Sequence, residues 1–385
     1  MRTAIFGGSF NPPHKGHTEA AQAAKQALGA DRLLVIPGNI PPHKKEAEGS
    51  PSAIERLELT KIAFAKVPGA EVSDIEINRG GTSYTVDTLE ELKKLYPEDE
   101  LILLVGTDML ESFEKWKDFK RIFELVTLAV FPRMDGDKEE LLKLKTSFEK
   151  EYGAKIQIID FCPVEISSTE LRELLGKRQG LEFVDDDVYA EIIKHRYYKS
   201  QPDFEWLRQK SFKCLNEKRI PHVRGCAAEA AKLARFWGAD PELAEEAGIL
   251  HDITKKLNAE EQLKLCHDYD IITDDDERAN YKLLHSKTGA EYSRREFGIC
   301  DEVYEAIKWH TTGKSDMTLL EKILYMADYM EPTRHFEGVE ELRKLAYEDL
   351  DKAMILGLQM GIDELHEKGV EPHVNSINAL KFFQK

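Results

Sequence analysis

"TAIFGGSFNPPHKGHTEAAQAAKQALG", Thr3 to Gly29, sets the fold class of the first half of this chain. Its first four residues read as a short apolar strand. The stretch from Gly16 onward carries alanine and leucine at helical spacing and closes on glycine, which reads as a helix with its stop signal. Between them lies "GGSFNPPHKGH", Gly7 to His17. A loop built only to reverse the chain needs glycine and proline for their backbone angles but gains nothing from two imidazoles. Glycine amides at the head of a helix form a cradle for phosphate, helped by the helix dipole. His14 and His17, three residues apart at that helical start, can both face one oxyanion.

The same alternation continues to about Lys199. "RLLVIP" (Arg32–Pro37), "AEVSDIEI" (Ala70–Ile77), "LILLVG" (Leu101–Gly106), "TLAVF" (Thr127–Phe131) and "KIQIID" (Lys155–Asp160) read as strands, separated by amphipathic stretches such as "SAIERLELTKIAFAKV" (Ser52–Val67). Several of these strands lack polar alternation, as expected of a parallel sheet covered by helices on both faces. The class is α/β, doubly wound and Rossmann-like, with ligands expected at the carboxyl ends of the strands. After "YYKSQPDFEWL" (Tyr197–Leu207) the β rhythm stops. "CAAEAAKLARFWG", "PELAEEAGILHDITKKL", "LLEKILYMADYM" and "LDKAMILGLQMGIDELHEKG" carry apolar residues every three or four positions with Gly or Pro at their ends, so this half is all-helical. Two domains are expected, residues 1–200 and 201–385. "DDDE" (Asp274–Glu277) reads as a solvated loop.

The balance of 54 Lys and Arg against 71 Asp and Glu gives a formal net charge of −17. That argues against nucleic acid and anionic membranes as partners, both of which call for fields of Lys and Arg. A phosphate site here must be built locally, for small phosphorylated molecules. No apolar run approaches the roughly 20 residues needed to cross a bilayer, and the N-terminus reads as a strand and not a leader, so a cytoplasmic protein is expected. Five cysteines (Cys162, Cys214, Cys226, Cys266, Cys300) are scattered without a CxxC pair. Neither a disulfide framework nor a thiolate zinc site is indicated.

The opening loop resembles the (T/H)xGH signature of the nucleotidyltransferase superfamily, and "ISSTELR" (Ile166–Arg172) is similar to its second signature. Ser167, Ser168 and Thr169 can cap a helix and offer hydroxyls to a triphosphate, while Arg172 adds a cationic fork. "PPHKK" (Pro41–Lys45), "TSYTVDTL" (Thr82–Leu89), "GTDML" (Gly106–Leu110), Trp116 and "FPR" ending at Arg133 narrow the resemblance to nicotinate-nucleotide adenylyltransferases over residues 1 to 200. Asn11 stands where many members of the superfamily carry Asp. The resemblance implies Mg-ATP as adenylyl donor and nicotinate mononucleotide as acceptor, giving deamido-NAD and pyrophosphate. It further implies His14, His17 and Arg172 as catalytic residues and Gly7, Gly8, Ser9, Phe10, Gly106, Asp108, Ser167 and Ser168 as contacts to ATP. Lys44, Thr82, Tyr84, Thr85, Trp116 and Arg133 are the implied contacts to the mononucleotide. With an anionic nucleophile, positioning and charge neutralisation carry the rate and the two histidines act as oxyanion stabilisers.

The helical half contains "GILHDITKK" (Gly248–Lys256). Adjacent His-Asp is cheap, since His267-Asp268 and His366-Glu367 also occur, but His251-Asp252 closes an Ala/Gly-rich helix where neighbours can come close and bury the pair. His222, His285, His310 and Asp328 follow at helix-length intervals, a set suited to a metal centre in a bundle core, with imidazole favouring a transition metal. The order H…HD…H…H…D resembles the HD superfamily of metal-dependent phosphohydrolases. "HDITK", "HSKTGA", "HTTG" and "ADYMEPTR" are similar to blocks of its symmetrical diadenosine tetraphosphatase branch. That resemblance implies a dinuclear iron or manganese centre. His222, His251, Asp252 and Asp328 would hold one ion, and His285, His310 and a bridging Asp252 the other. Lys255 and Arg334 are implied phosphate contacts, and the reaction is cleavage of diadenosine tetraphosphate to two ADP.

Alternatives remain open at this level. The first half could serve a different acceptor, such as nicotinamide mononucleotide or phosphopantetheine. The second could hydrolyse another phosphorylated nucleotide, or be a non-catalytic module for nucleotide sensing or dimerisation. Nothing in the sequence argues against a homo-oligomer.

Overall fold

A computed structural model describes the chain except residues 43–46, 133–137, 162–163 and 165. It contains two compact units, Met1–Gln201 and Pro202–Lys385.

In the first unit six parallel strands form one sheet in the order β3-β2-β1-β4-β5-β6. Their ranges are Arg2–Gly8 (β1), Arg32–Pro37 (β2), Ala70–Val72 (β3), Glu100–Gly106 (β4), Thr127–Phe131 (β5) and Ile156–Ile158 (β6). The apolar runs Leu101–Val105 of β4 and Thr127–Phe131 of β5 are buried without a break, as expected of a sheet covered on both faces. The strand order reverses between β1 and β4, and this switch point opens a crevice beyond the carboxyl ends of the two strands. Gly7 and Gly8 end β1 and Gly106 ends β4, so the quoted loop and "GTDML" meet at that crevice.

One expected strand is corrected. "AEVSDIEI" contributes only Ala70–Val72 to the sheet, and Ile75–Arg79 is a short helix. The Ser73 hydroxyl accepts the Ile75 amide at the turn, a local hydrogen bond competing with the alternation that suggested a strand.

The second unit is helical, with principal helices Ile220–Trp237, Pro241–Leu250, Leu284–Phe297, Asp301–Trp309, Leu319–Met330 and Leu350–Glu367. Helices Ile220–Trp237 and Pro241–Leu250 approach so closely that a Cβ on Gly248 would stand 2.5 Å from Ala227 Cα. "DDDE" is also corrected: Asp274 accepts the Glu277 amide and starts the helix Asp275–Ala279. Among the described residues Cys214, Cys226, Cys266 and Cys300 are free thiols, Cys162 lying outside them, and no helix is long and apolar enough to cross a membrane.

Candidate functional site

Beyond β1 the chain turns through Phe10, at φ 44°, into a cis Asn11-Pro12 bond and then the helix Lys15–Leu28. Phe10 is buried against Phe6, His17 and Phe64. This aromatic plug fixes the loop from below and turns the Gly7, Gly8 and Ser9 backbone toward a cavity of roughly 420 Å3. His14 and His17 face that cavity with ring centroids 3.6 Å apart, and the His14 amide donates to His17 Nδ1 at 3.2 Å. His14 is 7% exposed, and its Nδ1 is buried without a hydrogen-bond partner. Burial lowers its pKa to about 4, so the ring is neutral at physiological pH.

Helix Ser168–Leu175 continues the lining of the same cavity. Ser167 caps it by accepting the Glu170 amide at 3.1 Å, and the Ser168 hydroxyl donates to the Pro12 carbonyl at 3.2 Å. Arg172 Nη1 donates to the Asn11 carbonyl at 2.7 Å and Nη2 to Thr169 Oγ1 at 3.0 Å. The two signatures, 161 residues apart, are thus tied into one wall. Gly106 and Asp108 line the same cavity. Asn11 has a use for being an amide: its Oδ1 accepts the Tyr198 hydroxyl at 2.7 Å while its Nδ2 donates to Ser50 Oγ at 3.0 Å. A carboxylate could not make the second bond as donor.

A second recess of about 230 Å3 adjoins it, lined by Tyr84, Thr85, Trp116 and Lys117 among others. Trp116 stacks on Phe113 with centroids 4.7 Å apart, which holds the indole as a flat wall. Thr85 opens the helix Thr85–Leu95 with Tyr84 as N-cap, so amides there point outward. Phe10 and Thr82 do not line either cavity, and Phe10 acts from beneath. Lys44 and Arg133 lie outside the described residues. Sequence reading missed Arg56, which is 2% exposed and donates to the carbonyls of Ser9, Gly38 and Asn39. An arginine in an amphipathic helix gives no sign of this clamp.

In the second unit His222, His251, Asp252, His285 and His310 converge, all buried, with Asp328 beside them. His222 Nε2 lies 3.2 Å from His251 Nε2 and 3.0 Å from Asp328 Oδ1. His285 Nε2 lies 3.1 Å from His310 Nε2. The far ring nitrogens are engaged: Nδ1 of His251, His285 and His310 faces the carbonyls of Gly248, Lys282 and Ile307 at 2.6–2.8 Å. Each of these Nδ1 atoms therefore carries the hydrogen, so in the neutral ring the lone pair belongs to Nε2, the atom aimed at the cluster. Asp252 spans the two pairs, with Oδ2 3.4 Å from His251 Nε2 and Oδ1 3.3 Å from His285 Nε2, and that Oδ1 has no hydrogen-bond partner. Converging imidazole lone pairs plus an orphaned carboxylate oxygen form a donor set that fits metal ions. Burial, reinforced by His285, holds His310 well below the usual imidazole range.

Around this cluster opens a cavity of about 270 Å3 lined by Arg219, Lys255 and Arg334. Lys255 Nζ is 3.0 Å from His285 Nε2, and Arg334 Nη2 donates to Asp328 Oδ1 at 2.9 Å. Arg219, whose Nε donates to Asp252 Oδ2, was missed by sequence reading although it stands one helical turn before His222. His267-Asp268 and His366-Glu367 are exposed.

Comparison with known proteins follows this division. Residues 5–174 match the cytidylyltransferase-like family and residues 219–333 the HD domain. A probable nicotinate-nucleotide adenylyltransferase of Gemmatimonas aurantiaca is 36% identical over 203 residues, covering 52% of this chain and 94% of that one. A Mycoplasma genitalium protein described as a probable nicotinate-nucleotide adenylyltransferase/Ap4A hydrolase is 29% identical over 366 residues, 93% of this chain and 97% of its own. Among solved structures, a Clostridium acetobutylicum chain described as a "predicted HD superfamily hydrolase involved in NAD metabolism" is 38% identical over 47% of this chain and 96% of that one, with a TM-score of 0.46.

Proposed function

We propose that this chain, which belongs to the nicotinate-nucleotide adenylyltransferase family and carries an HD domain in its second half, is a cytoplasmic enzyme with two activities. Residues 1–200 transfer the adenylyl group of Mg-ATP to nicotinate mononucleotide. Residues 201–385 hydrolyse diadenosine tetraphosphate symmetrically to two ADP.

In the first reaction the 5′-phosphate of the mononucleotide attacks the α-phosphorus of ATP in line and pyrophosphate leaves. The nucleophile is already an anion, so no side-chain base is required; fixed donors at the developing charge do the work. His14 and His17 supply them with the Gly7 and Gly8 amides, Arg172 and the Ser168 hydroxyl hold the leaving phosphates, and Trp116 stacks on the pyridine. The observation that supports this most is the pair His14 and His17, ring centroids 3.6 Å apart on the cavity that Ser168 and Arg172 also line, with His14 held neutral by burial.

For the second reaction the supporting observation is Asp252, whose oxygens divide between two imidazole pairs. His222, His251, Asp252 and Asp328 would hold one iron or manganese ion, and Asp252, His285 and His310 a second. Such ions supply an acidified water and neutralise phosphoryl oxygens. Arg219, Lys255 and Arg334 add three cationic side chains that bind and orient a polyphosphate in the same cavity. A role in dimerisation alone would not need them, and this favours a phosphorylated ligand at the centre.

The test is product identification on the full chain. His14→Ala is expected to abolish deamido-NAD formation and leave ADP release from diadenosine tetraphosphate intact; Asp252→Ala is expected to do the reverse. Loss of both activities in either variant, or equal turnover of the acid and amide mononucleotides, would overturn the assignment.

A further inference from the structure

Three of the four clustered histidines orient themselves with backbone. His251 and His310 directly follow the last residues of the helices Pro241–Leu250 and Asp301–Trp309. There the final carbonyls lack intrahelical partners, and each imidazole takes the carbonyl three residues back. His285 takes the Lys282 carbonyl from the turn that precedes its helix. His222 is different. It lies in the first turn of helix Ile220–Trp237, an end that presents spare N–H groups instead of carbonyls. Its Nδ1 faces a side chain 109 residues away, Glu331 Oε1, at 3.1 Å.

Glu331 is itself held in place. It is 0% exposed, it follows the last residue of helix Leu319–Met330, and it accepts both the Thr333 amide, at 2.7 Å, and the Thr333 hydroxyl. Room for it is made by Gly225, where an added Cβ would stand 2.2 Å from Glu331 Oε2. Gly225 lies three residues after His222 on the same helical face, so one short segment supplies both the imidazole and the gap that admits its carboxylate.

From this arrangement we infer that Glu331 is a positioning residue for the metal centre: its carboxylate fixes His222 as the Nδ1–H tautomer and aims Nε2 at the cluster. The inference rests on the metal-site reading of His222. A carboxylate accepts only, so the hydrogen facing Glu331 must sit on Nδ1; a cation then needs to displace only the hydrogen that Nε2 shares with Asp328, 3.0 Å away, to meet a lone pair there. Glu331 gives His222 Nδ1 a side-chain acceptor where the other three rings have a backbone carbonyl, so a substitution can remove it.

The experiment uses the full chain and Mn2+ alone, with affinity measured by chelator competition. Alongside it, imidazole 15N resonances are recorded on the protein without added metal, the His222 signals being assigned by their loss in His222→Ala. Glu331→Ala is expected to weaken Mn2+ binding by about 10–100-fold and to move His222 away from the Nδ1–H tautomer. Glu331→Gln, which keeps an acceptor oxygen, is expected to lose less. Gly225→Ala, which leaves Glu331 in the chain but displaces it, is expected to reproduce the tautomer change. If Glu331→Ala does not fold, Glu331→Gln and Gly225→Ala carry the same two readouts. A purely structural Glu331 would lower the melting temperature while tautomer and Mn2+ affinity stay as in the wild type, and that result overturns the inference. Weakened binding in His222→Ala with none in the Glu331 and Gly225 variants overturns the inference alone. Unchanged binding in all of them overturns the metal reading of His222 as well.

Discussion

His14 couples proton binding to both folding and ligand binding. An exposed imidazole titrates near ~6.5, whereas burial lowers His14 to about 4. The native state therefore binds this proton less tightly than the unfolded chain. The resulting stabilisation is complete above the unfolded value and is lost as pH falls through the window between the two, at about 1.4 kcal/mol per unit of separation. An oxyanion beside the ring favours the charged form and moves the pKa back up. Pyrophosphate binding near pH 5 is thus expected to take up a proton in the wild type and less of one in His14→Gln. Titration calorimetry in buffers of different ionisation enthalpy reads that difference, and identical proton uptake in the two proteins would remove His14 from the anion site. Much of this was legible in sequence: two imidazoles in a glycine-rich strand-to-helix loop needed a charged ligand. What was not legible was Arg56, because an arginine that clamps three loop carbonyls looks, in sequence, like any solvated helix residue.

At the scale of the element, the helix Pro241–Leu250 delivers His251 and Asp252, and its position depends on Gly248. The Gly248 carbonyl orients His251, and the missing side chain lets the helix lie against Ala227. Gly248→Ala would place Cβ 2.5 Å from the Ala227 Cα, a backbone atom that cannot rotate away. The expected cost is about 1–3 kcal/mol of overpacking, and the displaced pair should lower diadenosine tetraphosphate hydrolysis on the order of 100-fold. Deamido-NAD synthesis should be unchanged. Steady-state kinetics on both substrates checks this, and a variant with wild-type hydrolysis would show that the close approach is incidental. The Ala/Gly composition of this helix announced that approach, which is why His251-Asp252 could be told from the exposed His267-Asp268. Ser73 was the counterexample: its hydroxyl accepts the Ile75 amide where β3 ends after three residues, and such a short-range hydrogen bond competes with β-periodicity in a way that a pattern of apolar residues does not register.

On the scale of the whole chain, each proposed site is assembled within a single unit. The residues of the adenylyl-transfer cavity all precede Gln201, and the clustered histidines and aspartates all follow Pro202. Both units fall in the size range of domains that carry their own core. Metal binding should therefore stabilise only the unit that holds the ligands. A ligand present at about 100 times its Kd contributes roughly 2.7 kcal/mol to the folded state, and in a unit of 150–250 residues each kcal/mol moves the midpoint by about 2–4 °C. Removing the metal with a chelator is expected to lower one calorimetric transition by about 5–10 °C and to leave the other in place. Cleaving the chain between Gln201 and Pro202 should assign the sensitive transition to Pro202–Lys385, with each fragment keeping its own reaction. A chelator that shifted both transitions equally, or fragments that lost activity and regained it only on mixing, would mean that the two sites share a folding unit. The separation read from the change of rhythm after Lys199 would then be a division of sequence pattern and not of stability.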